Sequence, residues 1–191
     1  MIGSAGRSTM NHHAAGGPTS LPNEPALGKM FAMLTLRPFE ASDDDALINW
    51  VCSAEELLTF AGPELAWPLT HAQLRAIRAR SDTTAWTAVQ PPASTPVGHI
   101  ELVIPAAYPR RGHLARVIID PALRRAGRGR SLVSAALEQA FARGLNPVTL
   151  NVRRGNRAAI SLYSGLGFRR MDTRPQDPHV LRMVLSAEDA L

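Results

Sequence analysis

The chain is short of the features that would take it out of ordinary globular chemistry. It carries one cysteine, Cys52, in 191 residues, so no internal disulfide can form and a stapled small-domain framework is excluded. No apolar run approaches the roughly 20 residues that a bilayer span requires. The N-terminus lacks a basic segment followed by an apolar stretch and a small-residue cleavage site. A soluble, cytoplasmic protein without a membrane partner is the expectation. Lysine is almost missing: of the 21 basic residues, 20 are Arg and only Lys29 is Lys. Together with abundant Ala, Pro and Gly, this bias fits GC-rich coding and makes Arg abundance alone a weak sign of anion binding.

What is present suits one globular domain of about 160 residues with a tail. Hydrophobic residues make up 45% of the chain and charged ones 19%, and a compact chain of this length buries roughly 70% of its unfolded surface. Neither a disulfide nor a structural metal is required. Charge is unevenly placed: residues 1–100 hold 6 basic and 9 acidic side chains, net −3, while residues 101–191 hold 15 basic and 7 acidic, net +8. Whatever anion the protein meets, it is expected to meet the C-terminal half.

Residues 1–29 are rich in Gly, Ser, Pro, Asn and Ala without apolar periodicity. They cannot bury enough surface to offset the entropy of ordering, so a disordered tail is expected before a single domain over residues 30–191. Met30 and Met33 stand just before the expected ordered region, so Met1, Met30 and Met33 are all left open as the translation start. The pair His12-His13 has no further ligands beside it and reads as solvated, so no metal is expected.

Beyond the tail, Met33 to Phe39 alternates apolar and polar residues as a half-buried strand does. Ser42 before Asp43, Asp44 and Asp45 reads as a helix N-cap. Ser53 with Glu56 repeats the capping-box spacing and opens a second short helix that Gly62-Pro63 stops. Thr70 caps a third helix running to Arg80. Strands are expected at Thr84–Gln90, Val97–Ile104 and His113–Ile119. Leu132, Val133, Ala136, Leu137, Ala140 and Phe141 then share one face of a helix from Gly129 to Arg143. Val148–Val152 is a strand, Asn156–Leu166 a helix, and Phe168–Met171 and Val180–Leu185 the last strands. No internal repeat is found.

The stretch that carries chemistry runs from Val117 to Gly129. An apolar strand ends at Asp120-Pro121, and a loop holding Gly127 and Gly129 leads into the long helix. Glycines admit a ligand close to the backbone, while the first helical N–H groups lack internal partners and sit at the positive end of the helix dipole. Arg124, Arg125, Arg128 and Arg130 crowd the same turn with donors suited to phosphate oxygens. Pyrophosphate is the natural guest; an exposed basic helix start is the alternative.

Arg124 to Gly129, R-x-x-G-x-G, resembles the acyl-CoA-binding motif of the GNAT superfamily of acyltransferases. Asn156 to Phe168 fits that superfamily's later N-x-x-A-x-x-L-Y-x-x-x-G-F motif, in the expected order and context. The resemblance covers Met33 to Leu185 and is weakest before Thr84. It implies an α/β fold with a mixed sheet of six to seven strands splayed in the middle and flanked by about four to five helices. It further implies an N-acetyltransferase that moves acetyl from acetyl-CoA directly to an amine through a tetrahedral intermediate, with no acyl-enzyme.

By the same resemblance, the backbones of Val117 and Ile119 would pair with pantetheine. Arg124, Arg125, Ala126, Gly127, Arg128, Gly129 and Arg130 would hold pyrophosphate. Asn156 would bond the cofactor, cap its helix, or both, and Tyr163 would be the general acid that protonates the departing thiolate. His113, at the start of the central strand, and Glu101, with His99 on the strand before, are the base candidates; a water chain is a further one. Cys52 has nothing in the sequence beside it to activate it as a nucleophile. The acceptor side would come from the region before Thr84, where Trp50, Glu55, Glu56, Phe60, Glu64, Trp67 and Pro68 stand. Acids and aromatics there would favour a cationic amine, although they equally suit helix caps and core. The partner is a small-molecule or protein amine, with a homodimer implied by relatives. A CoA-binding sensor without catalysis is one rival reading. A nucleic-acid-binding module is another, and it lacks interleaved surface aromatics.

Overall fold

The computed structural model describes residues 34–171 and 177–190. The expectations for residues 1–29, and for starts at Met30 and Met33, lie outside the described residues. Seven strands form one sheet in the order β1-β2-β3-β4-β5-β7-β6. They are β1 Thr35–Pro38, β2 Thr83–Val89, β3 Pro96–Val103, β4 Gly112–Ile119, β5 Val148–Arg153, β6 Arg169–Arg170 and β7 Val180–Leu185. Every neighbouring pair is antiparallel except β4 and β5. That parallel pair is joined by the crossover helix α4, Arg128–Ala142, as a parallel connection requires. Helices α1 Asp44–Trp50, α2 Ala54–Ala61 and α3 His71–Arg78 precede β2, and α5 Arg157–Gly165 follows β5.

Both faces of the sheet are covered. On one face, Leu132, Val133, Ala136, Leu137 and Ala140 of α4 pack on Ile100, Leu102, Leu114 and Leu150 of the sheet, all nearly inaccessible. This is the helical stripe that the sequence spacing predicts, although Phe141, at its end, is only partly buried. On the other face, Leu47, Trp50, Leu57, Leu74 and Ile77 of the early helices and Leu69 of the loop before α3 cluster with Phe39.

The early helices are tied down by buried carboxylates. Arg37 donates to both oxygens of Asp43 at 2.7 and 2.6 Å, Thr87 Oγ1 donates at 2.6 Å, and the Glu40 N–H donates at 3.0 Å. Burial works against the Asp43 charge, but Arg37, Thr87 and the Glu40 amide together hold its carboxyl below the usual carboxylate range. Arg78 pairs in the same way with buried Asp44.

Two local expectations are corrected. Ser42 is not the cap; Glu40 caps a single 3-10 turn at Ala41–Asp43, because Asp43 turns back to the Glu40 amide. α3 stops at Arg78 rather than Arg80, where the Arg80 N–H bonds the Ile77 carbonyl in a tighter turn. The caps at Ser53 and Thr70 are as expected, accepting from the Glu56 and Gln73 amides. The Glu56 side chain returns to the Cys52 amide instead of that of Ser53.

The centre of the sheet opens. β4 and β5 pair only over Gly112–Leu114 and Val148–Leu150, so β4 leaves its neighbour after Leu114. β4 is also bulged against β3: Glu101 faces Ala115 and His99 faces Ile118, which leaves Arg116 and Val117 opposite Ile100. Arg116 takes φ of +46° there, in the left-handed region that ordinary residues rarely adopt.

Candidate active site

A cavity of about 670 Å³ lies against the part of β4 that has parted from β5. Val117, Ile118 and Ile119 of β4 form its floor, and Arg124, Arg125, Gly127, Gly129 and Arg130 form one end. Asn156, which caps α5, and Ala159, Leu162 and Tyr163 of α5 form a side wall, and Trp50, Glu55, Glu56, Thr59 and Phe60 form the other end. One end is therefore cationic and the other acidic and aromatic.

Local sequence explains the cationic end. Gly127 holds φ of +75° with open space around it, so glycine is needed there for its backbone and not for room. No side chain caps α4, and Arg130 and Ser131 both bond back to the Gly127 carbonyl. The helix thus points an uncapped, positively polarised start at the cavity. At Gly129 a Cβ would stand 2.9 Å from Leu162 Cδ1, so this glycine lets α4 and α5 approach.

Of the residues expected to hold the cofactor, Val117, Ile119, Arg124, Arg125, Gly127, Gly129, Arg130 and Asn156 line the cavity. Ala126 and Arg128 do not. Arg128 is turned away: its Nε and Nη2 donate to Gln90 Oε1 at 3.2 and 3.1 Å, and its Nη1 donates to the Leu123 carbonyl at 3.3 Å. The Ile119 carbonyl, expected to face pantetheine, accepts from Arg124 Nε at 3.2 Å. Asn156 caps α5, with Oδ1 accepting from the Ala159 amide at 3.1 Å, and also lines the cavity.

Tyr163 is 7% exposed, and its hydroxyl makes no hydrogen bond to a described residue. Burial pushes its phenol up to about 12, so it stays protonated at neutral pH. Its ring packs edge-on to Phe168, centroids 5.8 Å apart, which fixes the side chain.

None of the side-chain base candidates, His113, Glu101 and His99, lines the cavity. His113 lies on the paired end of β4, opposite Thr149, before the strands separate. Val117 is four residues further, about 13 Å along a strand. The Thr149 hydroxyl donates to the Gly112 carbonyl and so accepts from His113 Nδ1 at 2.9 Å. Burial, with Arg182 and Arg116 nearby, pushes His113 down to about 4. Glu101 is fully buried: its Oε1 lies 3.2 Å from His99 Nε2 and its Oε2 3.1 Å from Arg116 Nη1. His99 is also buried, edge-on to Phe39 and Phe60.

Sequence reasoning named no role for Thr59, Ile118, Ala158, Ala159 or Leu162, which also line the cavity. A signal existed for Ala159, since Asn156, Ala159 and Tyr163 recur at i, i+3 and i+7 on one helix face. Nothing local marks Gln90 as the partner of Arg128. Among the described residues no helix is long and apolar enough to cross a membrane.

Residues 45–168 match the Acetyltransferase (GNAT) family. The chain belongs to that family. This GNAT chain is 49% identical over 61 residues to a mycothiol acetyltransferase of Streptosporangium roseum, a match spanning 32% of the chain and 18% of that protein. It is 40% identical over 55 residues to the [ribosomal protein bS18]-alanine N-acetyltransferase of Escherichia coli, spanning 29% and 37% of the two chains. The chain thus aligns with well under half the length of either relative. In fold it is similar to the spermidine N-acetyltransferase of Vibrio cholerae in complex with CoA and spermine, with a TM-score of 0.66 at 20% identity, covering 82% of this chain and 97% of that one. The splayed GNAT sheet expected from the two motifs is the fold found, with seven strands and five α-helices among the described residues.

Proposed function

We propose that this GNAT protein is an acetyl-CoA-dependent N-acetyltransferase. The observation that carries the reading is one cavity lined together by the uncapped start of α4, by Arg124, Arg125 and Arg130, and by the largely buried Tyr163. Arg125, with the first amides of α4, would bind and orient a pyrophosphate, and Arg130, whose Nη2 donates to the Gly165 carbonyl at 2.8 Å, would add positive charge beside it. Acetyl-CoA bound there would supply the thioester, and Tyr163 and the acceptor end line the same cavity.

In the transfer, a neutral amine forms the new C–N bond, the C–S bond breaks, and the amine sheds its extra proton to water. A backbone N–H of the unpaired part of β4 steadies the negative oxygen in between. Tyr163 gives its proton to the departing thiolate and regains one from water. Burial that raises the phenol would also raise the basicity of a thiolate formed beside it, in the same direction. Trp50, Glu55, Glu56 and Phe60 at the far end favour an amine that carries positive charge, such as a polyamine or a protein N-terminus.

Calorimetric titration with acetyl-CoA, followed by thiol release with spermidine and with an alanine-terminated peptide as trial acceptors, tests the reading. Micromolar acetyl-CoA binding with amine-dependent thiol release supports it. Binding without release to any amine favours the non-catalytic sensor.

A further inference from the structure

Arg116 is the residue on which the two walls of the cavity meet. Its backbone makes the bulge in β4, and the next three residues form the cavity floor. Its side chain is 5% exposed and reaches in two directions. Nη2 donates to Glu64 Oε2 at 2.7 Å, and Nη1 lies 3.1 Å from Glu101 Oε2. Glu64 closes the turn Gly62–Glu64 that directly follows α2. α2 supplies Glu55, Glu56, Thr59 and Phe60 to the acceptor end.

A guanidinium placed this deep is costly unless its charge is met. Here a fully buried carboxylate on β3 meets it on one side, and a half-exposed one meets it on the other. The Glu64 contact spans 52 positions of sequence, so it is a tertiary tie and not a helix-surface pair. Glu64 also lies 3.5 Å from Arg80 Nη1, a longer and more exposed contact. No hydrogen bond of Arg116 reaches the Arg124–Arg130 loop, whereas its bond to Glu64 reaches the turn that follows α2.

We propose that Arg116 is a positioning residue: by bridging buried Glu101 to Glu64, it holds α2 at a fixed distance from the bulge of β4 and sets the width of the acceptor end. The inference rests on the acetyl-transfer reading of the cavity. A merely structural Arg116 would change melting temperature and leave acceptor recognition alone.

The test uses Glu64→Gln as its main variant, because Glu64 is half-exposed and its loss leaves Arg116 paired with Glu101. Arg116→Lys and Arg116→Gln accompany it, and Arg80→Gln is the control. Hydrogen exchange of residues 54–64 is read with calorimetric acetyl-CoA affinity and with amine KM and kcat for the better of spermidine and the alanine-terminated peptide. Exchange of the α2 amides is expected to quicken, and amine KM to rise, by roughly tenfold in Glu64→Gln and Arg116→Gln, a coupling typical of residues in one network. Acetyl-CoA affinity stays within about twofold, and Arg80→Gln behaves nearly as the native protein. Arg116→Lys falls between, since one ammonium cannot fork to both carboxylates. Native α2 exchange and native amine KM in Glu64→Gln would overturn the proposal, as would an equal loss of acetyl-CoA affinity. If the native protein fails to bind acetyl-CoA, the acetyl-transfer reading falls instead, and α2 exchange in Glu64→Gln still decides the tie.

Discussion

The two ends of the cavity are built by different means. The cationic end comes from one continuous stretch, Arg124 to Arg130, in which a left-handed glycine and an uncapped helix do the shaping through the backbone. The acidic, aromatic end comes from α1 and α2, whose place depends on side-chain ties to strands and to α3: Asp43 to Arg37 and Thr87, Asp44 to Arg78, Glu64 to Arg116. A backbone device tolerates change in the surrounding side chains, whereas a tertiary ion pair fails when either partner goes. The first arrangement suits an invariant ligand, and the second can be re-tuned to a new acceptor by changing few residues.

Tyr163 stands between the ends, so its removal should stop the chemistry while sparing both. Tyr163→Phe is expected to lower kcat by about 10²–10⁴-fold, the usual contribution of a positioned general acid. Calorimetry should find acetyl-CoA affinity unchanged. Native turnover in the variant would remove Tyr163 as the acid.

Next in size is a strike at the acceptor end alone. Asp43→Asn leaves Arg37 facing a neutral amide in a buried site, and should cost about 3 kcal/mol of stability in urea unfolding, as breaking a buried pair does. The folded fraction should still bind acetyl-CoA with native affinity. A matching loss of acetyl-CoA affinity would mean that the two ends are not separately built.

The same contrast decides what could be read from the sequence. The cradle was legible because its determinants are contiguous: Gly127, Gly129 and the arginines announce themselves by spacing. Strands and helices followed from periodicity and caps to within a few residues, apart from the Ser42 cap. The acceptor end gave only a list of acids and aromatics, since Asp43–Thr87 and Glu64–Arg116 join residues 44 and 52 positions apart. Arg128 was misplaced for a related reason. Its position in the motif is right, but Gln90, 38 residues away, claims its side chain.

That misplacement makes the third comparison, within the cationic end. Charge reversal at Arg125 or Arg130, which line the cavity, should weaken acetyl-CoA binding by about tenfold to a hundredfold, the worth of one charge-assisted contact. Arg128→Ala should weaken it by less than about threefold and lower thermal stability instead, through the lost bonds to Gln90 and Leu123. Equal effects at all three positions would return Arg128 to the site.

The smallest effect at neutral pH belongs to His113, which tests the boundary between the paired and opened parts of β4. Its folded value of about 4 lies below the ordinary 6.5, so the unfolded chain binds the proton more readily. Its contribution to stability is therefore intact above pH 6.5 and drains away as pH falls from 6.5 toward 4, by about 2 kcal/mol at pH 5. His113→Gln keeps a side chain able to donate to Thr149 but cannot titrate. It should flatten the fall of unfolding free energy over that window and leave the pH profile of kcat/KM as in the native protein. A base in the transfer would do the reverse: the lower limb of the rate profile would disappear with His113, and the neutral imidazole buried against Thr149 would belong to the chemistry and not to the fold.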